Sequence, residues 1–220
     1  MNSNYICVFD LESDNVDSKI ATLLEIGAVM IDNRELKIVD TFSSLLQPIN
    51  LDEVNQEALQ INHITMDELS KAPQEKLVFE SFITWVNKHN KSKNAYSAYN
   101  APVAGVYNIT GYDIPIIRRY CEKYGGWDSK RKDQKIFNQI NFIDLMHHMW
   151  FITENSMELE NNELTTVLEY MGIEKQVLES AHRALFDAEM SAQILIRLMN
   201  YTRRLKTIGK MKNAFAKTTD

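Results

Sequence analysis

The chain has 220 residues, enough for one substantial core, and its 45% hydrophobic and 25% charged content is that of an ordinary globular protein. A formal net charge of −6 argues against a general nucleic-acid coat protein, which would be basic, but leaves room for an enzyme that holds cations. Cys7 and Cys121 make no disulfide framework and read as reduced core thiols. Acidic residues stand where a secretory segment would be apolar and no run approaches spanning length, so the expectation is a soluble, cytoplasmic protein with no membrane contact.

Tyr5-Ile6-Cys7-Val8-Phe9 reads as a strand buried on both faces. Side chains two apart on a strand point the same way, so Asp10 and Glu12 project together from its end. Side-by-side carboxylates in apolar surroundings repel each other and are tolerable around a divalent cation. The alternative is a strand that runs into a solvated acidic turn containing Asp14 and Asp17. Leu23 to Asp32 reads as a second strand and Ile38 to Leu46 as a third, and the short connections imply an antiparallel meander.

The period then changes. Asn55 to Ile61 reads as a short helix, and Thr65 opens another with a Thr-Met-Asp-Glu capping pattern. A longer helix follows Pro73, with Leu77, Phe82 and Val86 on its apolar face. Ala95 to Tyr99 is the candidate fourth strand, and Asn100 to Tyr112, with Pro102, Gly105 and Gly111, reads as an irregular loop. Asp113 opens a helix whose apolar side is Ile116, Ile117, Tyr120 and Cys121, stopped by Gly125-Gly126. Trp127 to Gln139 reads as a polar surface connection, Ile140 to Ile143 as a fifth strand, and Asp144 as the cap of a helix over Leu145–Trp150. Thr153 to Asn162 reads as a loop, and Glu163 to Met171 as a helix ended by Gly172. A long last helix from Ala184 carries the apolar stripe Leu185, Ala188, Ala192, Leu195, Met199 and Leu205, then a basic end expected to fray. One domain over 1–206 with a basic tail over 207–220 is the expected organisation, a mixed-sheet α/β class with the first strand central.

If Asp10 and Glu12 bind metal, further ligands must come from elements packed near that strand end. Asp113 stands at a helix start, where an N-cap role would also explain it. Asp187 lies in the first turn of the last helix, where the helix dipole also favours a carboxylate. His182, just before that helix, is the one histidine of five at such a junction; His63, His89, His147 and His148 read as exposed or half-buried.

Asp-x-Glu in strand one, Glu-Ile-Gly-Ala-Val in strand two, Gly-Tyr-Asp opening a mid-chain helix and His-x4-Asp at the last helix together resemble the DEDDh 3′-5′ exonucleases. This is the proofreading-exonuclease and ribonuclease T-like branch of the ribonuclease H-like fold, and the resemblance spans Tyr5 to Arg197. It implies a five-stranded mixed sheet flanked by helices. It implies that Asp10, Glu12, Asp113 and Asp187 hold two divalent ions, Mg²⁺ or Mn²⁺, with Asp10 bridging, and that His182 is the general base accepting a proton from the attacking water. The implied reaction removes nucleoside monophosphates from a free 3′ end of single-stranded nucleic acid, DNA favoured, with Leu11, Ser13 and Ile64 as substrate contacts. Ser13 stands where the family usually has Thr, keeping a hydroxyl. Tyr99-Asn100-Ala101-Pro102 and Tyr107-Asn108 through Asp113 compete as the element before the third aspartate, and only the second ends in aspartate. Tyr107, Tyr112 and Phe9 are available for base stacking. Alternatives are an RNA- or oligonucleotide-directed enzyme of the same family, or a catalytically weak module that grips strand ends or a polymerase partner; a homodimer is also open.

Overall fold

The structure, a computed structural model, describes residues 4–90, 100–154, 159–173 and 183–209, the side chains of 206–209 excepted. The strand expected at Ala95–Tyr99, part of the loop expected over Thr153–Asn162, His182 and the tail from 210 lie outside the described residues. In chain order the elements are β1 (Tyr5–Ser13), β2 (Leu23–Asp32), β3 (Lys37–Leu45), α1 (Gln56–Ile61), α2 (Met66–Lys71), α3 (Glu75–Lys88), β4 (Val103–Val106) and α4 (Asp113–Tyr124). There follow β5 (Trp127–Asp128), β6 (Asp133–Gln134), β7 (Phe142–Asp144), α5 (Leu145–Thr153), α6 (Leu164–Tyr170) and α7 (Ala184–Gly209).

Five strands form the main sheet in the order β3-β2-β1-β4-β7, so the first strand is central, as expected. β1, β2 and β3 are the antiparallel meander, while β4 and β7 run parallel to β1. Alternation along β1 feeds two cores. Cys7, Phe9 and Leu11 pack with Phe79, Phe82 and Val86 of α3 and Ile116, Ile117 and Tyr120 of α4. Ile6 and Val8 face the other way, onto Leu145 and Met149 of α5, Val167 and Leu168 of α6, and Ala192 and Leu195 of α7. A smaller cluster seats α1 and α2 on the sheet end through Leu24, Leu59, Ile64 and Leu69.

Local chemistry sets the helix starts. The Asn55 side chain accepts from the Glu57 amide at α1, Thr65 and Glu68 complete the capping box of α2, and Asp144 caps α5. Four expectations are corrected. The fourth strand of the sheet is Val103–Val106, inside the stretch read as loop. Pro102 and Gly105 signal a turn, yet Gly105 lies in the strand, where a Cβ would only touch the Ile6, Val8 and Leu195 side chains at 3.4–3.6 Å. The connection after Trp127 is only partly a surface one: it holds the β5–β6 hairpin, and Phe137 is fully buried, stacked on Phe9 at 5.1 Å between ring centroids. Leu77 and Leu205 are exposed, because each lies on the outer side of its helix.

No helix among the described residues is long and apolar enough to cross a membrane. Among the described glycines, the closest backbone approach is at Gly27. A Cβ there would lie 2.0 Å from the Leu185 amide nitrogen and 2.1 Å from the Ala184 carbonyl carbon, so the first turn of α7 rests directly on the β2 backbone. Gly27→Ala is expected to push α7 off the sheet and destabilise the protein by about 2 kcal/mol or more, whereas Gly105→Ala, meeting only side-chain atoms, costs clearly less. Urea unfolding of the two variants beside the parent checks the order.

Candidate active site

Asp10 and Glu12 lie at the carboxyl end of β1, on the side that α7 covers, where ligand sites of open α/β sheets characteristically form. Across the ladder Asp10 pairs with Gly27 and Glu12 with Glu25. The missing side chain at Gly27 therefore brings the start of α7 down beside Asp10, and Asp187 is in that first turn. Carboxylate oxygens of Asp10, Glu12 and Asp187 lie within 4.8 Å of one another. Glu12 and Asp14 are 9% and 8% exposed, so this is no solvated acidic turn; Asp14 instead accepts from the Thr22 amide at 2.6 Å and closes the loop between β1 and β2.

Asp113 is the first residue of α4 and is buried at 4% exposure. It stands outside the group of three, yet its charge reaches both Asp10 and Glu12. The loop that delivers it is held by a residue that the sequence reading gave only a capping role. The buried Asp144 carboxylate accepts from the Asn108 amide at 3.3 Å and the Thr110 hydroxyl at 3.2 Å. Asn108 has φ of +66°, which asparagine tolerates better than most residues. Tyr112, next to Asp113, bonds through its hydroxyl to the Ser13 hydroxyl and donates to the Asn15 carbonyl at 2.5 Å. The Ser13 end of β1 is in turn tied to the end of α1 by the Asn62 side-chain amide, which donates to the Ser13 carbonyl at 3.0 Å.

Burial and mutual repulsion dominate the electrostatics. Desolvation first, then the charges of Glu12, Asp113, Asp187 and Glu25, push the Asp10 pKa well up. Glu12 rises to about 8 for the same reason, desolvation leading and Asp187 and Glu25 adding, with Arg183 pulling the other way. Asp113 is raised by burial, against its own backbone hydrogen bond. An all-carboxylate set that cannot comfortably hold its own charge suits a hard divalent cation, and the donors fit one.

Beside these acids runs a cleft of about 370 Å³, lined by the Leu11 to Val16 segment, by Ala58, Ile61 and Asn62 on the α1 side, and by Tyr112. Its lips carry two exposed apolar side chains, Val16 at 94% and Ile61 at 61% exposure. A larger cavity of about 790 Å³, between Gln47–Glu53 and Gln74–Lys76, contains none of the four acids and belongs to a different face. Among the expected substrate contacts, Ser13 lines the cleft, Leu11 lines it while its side chain is 5% exposed in the core, and Ile64, 3% exposed, packs with Leu59 and Leu69 and is not part of the lining. Of the aromatics, Tyr112 lines the cleft, Tyr107 is half-buried with its hydroxyl on the Asn162 carbonyl, and Phe9 is fully buried.

The profile of the RNase_T family, described as exonuclease, matches residues 7–195. The chain belongs to the RNase_T exonuclease family. It is similar to proteins described as DNA polymerase III PolC-type: 26% identical over 192 residues in Bacillus cereus, covering 87% of this chain and 11% of that one, and 25% over 205 residues in Thermotoga maritima, covering 93% and 12%. The chain thus spans about a tenth of these relatives' length. Among solved structures, the nuclease domain of 3′hExo, a DEDDh family member bound to rAMP, shares the fold with TM-score 0.66 at 18% identity, covering 90% of this chain and 93% of that one. Exonuclease I of E. coli in complex with a dT13 oligonucleotide does so with TM-score 0.69 at 15% identity, covering 92% and 42%. These likenesses agree with the mixed five-stranded sheet described above.

In the metal-free protein, Glu12 holds its proton more tightly folded than unfolded. That contribution to stability is present at low pH and is lost as pH rises from about 4.5 through about 8. Thermal unfolding in chelator is expected to show a melting temperature that falls between about pH 5 and pH 8, with a shallower fall in Glu12→Gln. Saturating Mn²⁺ should cancel the fall, since metal binding requires the deprotonated acids.

Proposed function

We propose that the chain is a metal-dependent 3′-5′ exonuclease that hydrolyses phosphodiester bonds from the 3′ end of single-stranded nucleic acid, with DNA the favoured substrate. The observation that carries this is the grouping of Asp10, Glu12 and Asp187 within 4.8 Å at the edge of an open cleft. Asp10, Glu12, Asp113 and Asp187 would hold two divalent ions, Mg²⁺ or Mn²⁺. When bound, such ions supply charge neutralisation and Lewis acidity at the phosphoryl group.

The chain's own residues have the remaining work. The strand end enters the cleft between Val16 and Ile61, whose apolar faces give a base a surface that reads no sequence. Ser13 and the Leu11 backbone bound the sugar side, and Ile64 supports that wall from beneath. Tyr112 and Asn62 hold the Ser13–Asn15 loop in place. His182 accepts the proton of the attacking water, work suited to an imidazole titrating near neutrality. The leaving group is the 3′ oxygen of the shortened strand, and the product is a nucleoside 5′-monophosphate.

The DNA preference draws support from the polymerase relatives and from Exonuclease I with its dT13 strand. An RNA-directed activity is the second reading, favoured by the 3′-exonuclease that recognises a histone mRNA stem-loop; its structure is covered to 84% here, with TM-score 0.66 at 17% identity. The polymerase relatives also motivate a polymerase chain as the proposed partner, with a second copy of this chain as the alternative. The deciding experiment offers 5′-labelled single-stranded DNA and matched RNA with Mg²⁺ or Mn²⁺. A ladder shortening from the 3′ end is expected, abolished by chelator and by Asp10→Ala and slowed by about 10²- to 10⁴-fold in His182→Ala. Strands that are bound but left intact with either metal would instead make the chain a binding module.

A further inference from the structure

Glu25 stands opposite Glu12 across the β1–β2 ladder, on the face covered by α7. Like charges directly opposite on neighbouring strands destabilise a sheet, and at 3% exposure Glu25 has almost no water to screen it. Its compensation comes from Arg183. Nε and Nη2 of that guanidinium each donate to a separate Glu25 oxygen at 3.0 Å, a fork-to-fork pairing. The Ala184 amide donates to the same carboxylate at 3.3 Å, so a strand side chain satisfies one of the orphan amides at the start of α7. Glu25 is not among the carboxylates that gather within 4.8 Å, although it is the direct neighbour of one that is.

We propose that Glu25 and Arg183 are a positioning pair that clamps the first turn of α7 to β2, sets Asp187 against Asp10 and Glu12, and keeps Glu25 itself from joining the metal ligands. The inference rests on the exonuclease reading of the site. Asp187 is one turn beyond Arg183, its amide donating to the Arg183 carbonyl at 3.1 Å, and His182 is the preceding residue in sequence. The pair therefore acts at the start of α7, which carries Asp187 and directly follows His182 in sequence. Gly27 permits the contact between α7 and β2, and the ion pair fixes its angle. A lysine at 183 would keep the charge but lose the fork. Residues that orient metal ligands in this indirect way typically affect metal affinity or activity by about 10- to 100-fold.

Three measurements on Glu25→Gln and Arg183→Lys test the pair: calorimetric titration with Mn²⁺, kcat and KM on 5′-labelled single-stranded DNA, and thermal unfolding. Both variants are expected to bind Mn²⁺ about 10-fold more weakly and to lose about 10-fold or more in kcat, with KM within about threefold of the parent. A folded Glu25→Gln protein whose Mn²⁺ affinity and kcat stay within about twofold of the parent, however much its melting temperature falls, overturns the proposal. If Glu25→Gln does not fold, Arg183→Lys decides by the same thresholds. If the parent cuts neither DNA nor RNA, the exonuclease reading fails and the Mn²⁺ titrations alone decide whether the pair positions the acids.

Discussion

The first turn of α7 approaches β2 more closely than any side chain at position 27 would permit, and that approach brings the separate parts of the site into one place. β1 contributes Asp10 and Glu12 because its alternation turns them toward α7 while Phe9 and Leu11 anchor the opposite core. α7 contributes Asp187 because its start rests on backbone rather than on a side-chain layer. Elsewhere a helix packed on a sheet keeps side chains between the two backbones; here one position has none. The sheet register then matters as much as the glycine itself, since a slip of one residue would turn both β1 acids into the aromatic core.

The arrangement concentrates negative charge in a chain that is already acidic. Asp10, Glu12 and Asp113 all have raised proton affinities, and burial, more than any one neighbour, leads each shift. Arg183 opposes this at Glu12, but it is forked to Glu25 and so already committed. The site therefore stores a demand for cations that its immediate surroundings leave unmet. An overall negative charge also means that few phosphates can be gripped far from the centre, which suits a substrate held by its end rather than along its length.

Much of this was legible in the sequence, for reasons that differ by element. The β1 strand and its two acids were readable because a doubly buried strand is a run of apolar residues and the period of two fixes which side chains share a face. The caps at Thr65 and Asp144 were readable because they are local chemistry. β4 was not, because a four-residue strand containing glycine and following proline carries turn signals, and its strand character comes from β1 and β7 on either side. Phe137 was missed because Ile136 and Phe137 are a short apolar pair in a polar stretch, and its burial comes from distant rings, Phe9 and Phe82. Glu25 was visible within its motif but had no role until Arg183, far along the chain, was seen to meet it. Ile64 illustrates the opposite case: the loop that contains it does border the cleft, through Ile61 and Asn62, while its own side chain turns into the core.

The distance in sequence between Asp10 and Asp187 has a consequence for how the chain is made. The two β1 acids emerge from the ribosome first, and the sheet that presents them can begin to pair while the rest is still being translated. Asp187 arrives only with α7, whose docking also supplies the fork to Glu25. Until then the β1 pair has neither its third carboxylate nor the helix that walls the site. A nascent chain therefore carries an unfinished acidic centre until α7 is made and docks on β2.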